Sequence, residues 1–129
     1  MKAHLLALML VIGIASGCTK DKDSDSVVNS TAPVTAVEAP SSAMVNQPIS
    51  FNLTVAYPDG CTFFSKFNET LTNKIKTVII ETTRPAESDC TTAIVYENKV
   101  YTFTPTEKGS YTFKFKNYDS WIEKVVTVE

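Results

Sequence analysis

Few side chains in this sequence can do chemistry. The thiols are Cys18, Cys61 and Cys90, and the single imidazole is His4. A thiol can carry lipid, close a disulfide or ligate a metal. His4 stands in the apolar N-terminal stretch, so the rest of the chain has no histidine base for a Ser-His-Asp or Cys-His nucleophile. Two cysteines without a histidine leave a zinc shell incomplete, and no metal is expected. The acidic pairs Glu81/Glu87 and Asp119/Glu123 are close in sequence. A glycosidase holds two carboxylates at a defined separation across a cleft, and 129 residues without long insertions leave little room for one. These acids read as solvated surface charges. Gly60 and Gly109 are isolated, so no phosphate-cradling loop forms around them. No catalytic residue and no cofactor is assigned, and the expected class is not an enzyme. With 12 basic and 14 acidic residues the formal net charge is −2, which gives no electrostatic grip on nucleic acid.

The chain opens with Lys2 and His4, then runs apolar from Leu5 to Ala15. That run is short of the roughly 20 residues a bilayer span needs and fits a secretory leader. It ends on Ala15-Ser16-Gly17-Cys18, which resembles the bacterial lipobox, with alanine where leucine is commoner. The resemblance implies a thioether-linked diacylglycerol and an amide-linked acyl chain such as palmitate on Cys18. Several acyl chains hold a protein to a bilayer where one holds it only marginally. The alternative is an ordinary cleaved leader with an incidental cysteine. If Cys18 carries lipid, Cys61 and Cys90 remain as a pair. An oxidising envelope makes a disulfide their default state, closing a loop of roughly 30 residues and contributing about 3.6 kcal/mol on chain-entropy grounds. Two buried free thiols are the other outcome.

Residues 1–17 are thus expected to be a lipoprotein signal peptide and 18–32 a lipidated cysteine with a disordered tether. Thr19–Ala32 is polar, charged and aperiodic. Asp21, Asp23 and Asp25 alternate as a calcium loop begins, but Ser26 and Ala32 stand where such a loop wants glycine and glutamate. A solvated charge run is the better reading. Lys20-Asp21-Lys22-Asp23 resembles the export signals of Bacteroidetes-type surface lipoproteins, and Asp25-Ser26-Val27 fits the O-glycosylation pattern of the same group, with Ser26 as acceptor. Thr19 is not the aspartate that retains enterobacterial lipoproteins at the inner membrane. Together these imply an outer-membrane location, with the domain facing the cell exterior as one outcome.

From Pro33 the texture changes to period two. Ile49, Phe51, Leu53, Val55 and Tyr57 alternate with Ser50, Asn52, Thr54 and Ala56, the pattern of a half-buried strand. Tyr111, Phe113 and Phe115 alternate with Thr112, Lys114 and Lys116, and a last strand covers Trp121–Val128. Strands are also expected at Val34–Glu38, Cys61–Phe67, Ile75–Thr83, Thr92–Tyr96 and Val100–Thr104. Tyr57-Pro58-Asp59-Gly60 reads as a tight hairpin turn, Glu97-Asn98-Lys99 as a second hairpin, and Glu107-Lys108-Gly109 as a third turn. No segment keeps a period of 3.6, so residues 33–129 are expected to be all-β.

Ala39-Pro40 with Val45-Asn46-Gln47-Pro48-Ile49-Ser50-Phe51 is similar to the opening of bacterial immunoglobulin-like, PKD-like modules. Phe103-Thr104-Pro105-Thr106-Glu107-Lys108-Gly109-Ser110-Tyr111-Thr112-Phe113 resembles their penultimate strand, and Val125–Glu129 their last. The resemblance implies an immunoglobulin-like sandwich of seven or eight mostly antiparallel strands over 33–129. An eight-stranded barrel is the runner-up. The middle departs from the pattern: the cysteine pair is closer than the antibody type, Trp121 lies near the C-terminus, and the PKD tryptophan-aspartate signature is absent.

Four residues stand out as binding candidates. Tyr118 and Trp121 flank Asp119-Ser120 in the last turn, where sandwich loops collect binding residues. Trp121 as a cap on the core is the alternative. Arg84 opens the polar loop Arg84–Asp89 tied down by Cys90. Phe64 is expected on the face opposite Phe63, Phe67 and Cys61, either packed or exposed. The expected partners are a bilayer, through Cys18, and an unidentified protein or glycan. An inhibitor of an envelope protease or lysozyme, acting through the Arg84–Asp89 loop, is the second reading. A subunit of an envelope complex is the third, with Ile75–Ile80 as the apolar segment that would serve as a pairing edge.

Overall fold

The computed structural model describes Gly17, residues 26–86 and residues 89–129. Cys18, Asp21, Asp23, Asp25 and Glu87, with the readings that fall on them, lie outside the described residues. The regular structure that is described is all strand: β1 Val27–Ala32, β2 Val34–Glu38, β3 Ser42–Ala43, β4 Ile49–Tyr57, β5 Phe63–Thr72, β6 Ile75–Pro85, β7 Val95–Phe103, β8 Gly109–Asn117 and β9 Ser120–Val128. They form two sheets, one of three strands in the order β2-β4-β7 and one of six. The six-stranded sheet runs β5-β6-β8-β9-β3, with β1 beside the C-terminal half of β6. The sheets stay separate, so this is an open β-sandwich and not the closed barrel.

Period two decides the core. On β4 the odd positions Ile49, Phe51, Leu53, Val55 and Tyr57 are all buried. Facing them are Val78 and Ile80 of β6, Tyr111, Phe113 and Phe115 of β8, and Val126 and Val128 of β9. Phe51 sits at the centre, its ring centroid 4.4 Å from Phe113 and 5.5 Å from Phe115. Aromatic burial of this kind dominates the energetics of so small a core.

β6 organises the larger sheet. Its residues Ile75–Val78 pair in parallel with Thr112–Phe115, and Ile80–Pro85 pair antiparallel with β1 on the same edge. Its other edge is filled along its length by β5. The turn between β5 and β6 is Asn73-Lys74, both at positive φ (51° and 59°), the geometry of the two-residue hairpin turn whose twist matches its strands. The Lys74 carbonyl oxygen then accepts from the Thr112 amide at 2.9 Å. Gly109, at φ 138°, begins β8 beneath the Lys74 side chain, and a Cβ there would meet its Cε at 2.9 Å.

Several expectations are corrected. Val27–Ala32, expected to lie within the disordered tether, instead pair with β6 as a strand. Val27 and Val28 supply apolar weight at one end of it, and the polar Asn29-Ser30-Thr31 are all exposed. Among the described residues the strands number nine, two more than the lower expectation, since β1 and the two-residue β3 carried no periodic signal. No hairpin forms at Glu97-Asn98-Lys99: β7 runs through it in unbroken register with β4, from Ile49↔Phe103 to Tyr57↔Val95. β5 extends to Thr72, past the expected end at Phe67, and 92–94 are not strand. The Tyr57–Gly60 turn is not a hairpin either, since β4 and β5 belong to different sheets. Finally, Ile75–Ile80 is paired on both sides and offers no edge.

Candidate functional site

Three places gather the side chains that could act. The first is the turn between β4 and β5. Asp59 Oδ1 accepts from the Cys61 amide at 2.9 Å and the Thr62 hydroxyl at 2.7 Å. Its Oδ2 lies 3.0 Å from the Arg84 guanidinium. Cys61 and Cys90 form a disulfide across 5.6 Å between their Cα atoms. Arg84 also approaches Cys90 Sγ at 3.9 Å, and the Gly60 amide donates to the Thr91 carbonyl at 3.2 Å. The Thr62 hydroxyl, the Cys61 amide and the Arg84 charge together hold the Asp59 carboxyl below the usual carboxylate range, against the opposing effect of burial. Arg84 is therefore spent on a buried-side pairing that fixes a sheet-to-sheet crossing.

The second place is the mouth between β5 and β7, the two strands that close one side of the sandwich. A β-bulge between Phe64 and Lys66 changes the parity of β5. Phe64 opposes Thr82 and Phe67 opposes Ile80, so both turn toward the core, with centroids 4.9 Å apart. Sequence alternation placed Phe64 and Phe67 on opposite faces, and the extra residue at Ser65 corrects that. Phe63 is the ring left outside, at 60 % exposure. Phe64 is half-buried under the Lys99 ammonium, 5.0 Å from its centroid. A shallow depression of about 450 Å³ here is lined by Phe67, Glu69, Val100, Tyr101 and Thr102. The Tyr101 hydroxyl is buried without a hydrogen bond, as is that of Tyr57 further along the core. Burial pushes both phenols well above their ordinary range, and the Glu69 and Glu97 carboxylates add in the same direction. Lys76 also faces inward, its Nζ 3.2 Å from Glu69 and 5.2 Å from the Phe103 ring centre.

The third place is the tip of the β8–β9 hairpin. Asn117 pairs with Ser120, leaving Tyr118-Asp119 as the loop. Tyr118 is 63 % exposed at φ 37°, and Trp121 is 37 % exposed with the Lys116 Nζ 4.8 Å above its ring. Trp121 is thus no cap on the core. Glu123, one of the paired acids, is held by Lys114 across the hairpin at 3.4 Å, and Glu81 by Lys66 at 3.5 Å and by the Asn68 amide at 2.8 Å. Ser26 is exposed, and its carbonyl accepts from the Ala86 amide at 2.8 Å. Among the described residues no group of three or more acidic, cysteine or histidine side chains is placed to hold a metal.

Fold and surface define a small open β-sandwich in which Asp59, Arg84, Cys61 and Cys90 are held in structural contacts and Tyr118 and Trp121 are exposed at a hairpin tip. The sequence profile of the ORF11 beta-sandwich domain matches residues 51–128, and the chain belongs to that family. The match runs from inside β4 to the end of β9, so β1, β2 and β3 lie outside it. No curated protein and no solved structure matches the chain.

Sequence reasoning did not single out the outward residues of β7, Tyr96 and Val100, which are 64 % and 59 % exposed. Their signal was the alternation Val95-Tyr96-Glu97-Asn98-Lys99-Val100-Tyr101, which the central polar triplet disguised as a turn.

Proposed function

We propose that this chain is a lipid-anchored envelope lipoprotein of the outer membrane, exposed to the cell exterior, whose β-sandwich is a non-catalytic interaction module. The Cys18 thiol would carry the lipid, as the likeness to the lipobox implies. The module would hold a protein or glycan through the β8–β9 tip. The observation that carries this reading is the pair Tyr118 and Trp121, two amphipathic aromatics, one largely and one partly exposed, beside the tip of a paired hairpin. Tyrosine and tryptophan give large contact area for little conformational entropy. The absence of a histidine beyond His4 supports a binding role over a hydrolytic one.

Three experiments test it. Metabolic labelling with palmitate should mark the wild-type chain and leave a Cys18→Ala variant unlabelled and released from membranes; a labelled or membrane-bound variant sinks the anchor. A photo-reactive side chain at position 118, in intact cells, should cross-link the domain to a second macromolecule. Cross-links obtained from an outward position on β6 and none from 118 would remove the tip as the contact. Protease digestion of the domain on intact cells is expected from the surface location, and protection until lysis would move it to the periplasm.

The inhibitor reading retains one supporting observation. Arg84, before the loop, is ion-paired with Asp59, and Cys90, after it, is disulfide-bonded to Cys61; anchored ends lower the entropy cost of entering a cleft. Arg84 itself is committed to Asp59, so the contact would have to come from residues beyond it.

A further inference from the structure

The sandwich has free sheet edges, and they differ in how well they are guarded. β2 is broken by a bulge between Val34 and Ala36 and lies between Pro33 and Pro40. β3 has two residues. β5 is bent by the bulge at Ser65. β1 has six residues with a polar centre. These are the usual devices that stop sheets from adding strands. β7 has none of them. Its nine residues hold unbroken register with β4 on one side, and among the described residues no strand pairs with the other. It contains no proline, glycine or bulge. Its outward face carries exposed Tyr96 and Val100 on either side of Asn98.

The one guard on β7 is a pair of charges, Glu97 and Lys99, which lie on its inner face 2.7 Å from each other. Bare charges repel an arbitrary incoming strand. They fit one partner well, which is β7 itself. In an antiparallel pair a two-fold axis through a residue sets position i opposite its mirror. With the axis at Asn98, Glu97 faces Lys99 of the second copy and Lys99 faces its Glu97. Tyr96 then faces Val100, Val95 faces Tyr101, and Asn98 faces Asn98. Opposite charges and aromatic–β-branched pairs are favourable cross-strand neighbours. Moving the axis one residue either way must flip the pleat match or set Glu97 against Glu97, or Lys99 against Lys99. The charge pair therefore selects a single register as well as a single kind of partner.

We propose that two copies of this chain join through their β7 edges, antiparallel about Asn98, merging the two three-stranded sheets into one continuous sheet. The occupant of the edge is a second copy, identified by this charge and side-chain complementarity. The inference stands apart from the tip assignment, because β7 and the β8–β9 tip belong to different sheets.

Charge swaps test it. Sedimentation equilibrium of the full chain, in density-matched detergent, should give a dimer. Lys99→Glu and Glu97→Lys should each give a monomer, because every cross-strand pair becomes like-charged. The double variant Glu97→Lys/Lys99→Glu should dimerise again, and so should an equimolar mixture of the two single variants, as a heterodimer. Circular dichroism of each variant checks that the sandwich is intact. A wild-type monomer at every soluble concentration overturns the proposal. So do single variants that dimerise as well as wild type, and so does a double variant or mixture that stays monomeric while folded.

Discussion

At the scale of single residues, Asp59 and Tyr118 show the two uses a turn can have. Asp59 accepts three hydrogen bonds or ion contacts at once, and they lower its pKa only because the folded chain supplies them. A carboxyl whose folded value lies below its unfolded value stabilises the fold above the unfolded value, about 3.9 for aspartate. That contribution is lost as pH falls through the folded value. Thermal stability should therefore fall with acid below about pH 4, and Asp59→Asn should be less stable at neutral pH and show a flatter acid limb. An acid limb unchanged by Asp59→Asn would mean another carboxylate governs it. Tyr118 bears the opposite relation to stability. It alone of its two-residue loop has positive φ, a position that favours glycine in hairpins. Tyr118→Gly should raise stability by about 1 kcal/mol in chemical denaturation while reducing partner cross-linking or binding at the tip. A destabilised variant would show that the ring packs more than it strains.

At the scale of elements, the connections decide which strands meet. The Cys61–Cys90 disulfide ties the β4–β5 crossing to the segment leading into β7, closing a loop 29 residues apart in sequence. Replacing both cysteines by serine should cost about 3.6 kcal/mol, read as a lower denaturation midpoint with a somewhat steeper slope, because the unfolded chain expands. A change below about 0.5 kcal/mol would assign the bracing to Asp59 and Arg84 instead. The β5 bulge is the other decisive local event. One extra residue at Ser65 sends Phe64 and Phe67 inward together, and from there Phe67 reaches Tyr101 at 5.2 Å.

At the scale of the whole molecule, two sheets share one aromatic core. Phe51 touches rings from β7 and β8 alike, and it has no exposed surface. Phe51→Ala should cost about 3–5 kcal/mol, enough to unfold a domain of this size near physiological temperature. A loss under about 1 kcal/mol would mean that the core collapses around the gap. Alkali is the other whole-molecule probe. The phenols of Tyr57 and Tyr101 ionise more readily in the unfolded chain than in the core. Stability is therefore full below the ordinary phenol value near 10 and falls as pH rises past it. Tyrosinate absorbance for these two rings should appear together with unfolding. Ionisation of all five tyrosines before any loss of β signal would contradict their burial.

The strands β4, β6, β8 and β9 were legible in the sequence because each turns one face to the core and one to water, and that choice is written residue by residue in the period of two. The class, an all-β sandwich, and the Tyr118–Trp121 tip followed from the same alternation and its punctuation. What stayed hidden depends on neighbours far away in sequence. Val27–Ala32 is polar enough to pass for a tether and becomes a strand only because β6 outruns β8 and leaves an edge open. Glu97-Asn98-Lys99 has a turn's composition, yet β4 holds it straight through nine paired positions. Arg84 looked available for binding until the fold brought Asp59 to it. The sequence by itself determined which side chains must leave water, since that depends on local pattern and transfer free energy. Only the tertiary structure decided the strand order, the bulge parity and which edge was left unpaired, since those follow from where hydrogen-bonding partners lie in space.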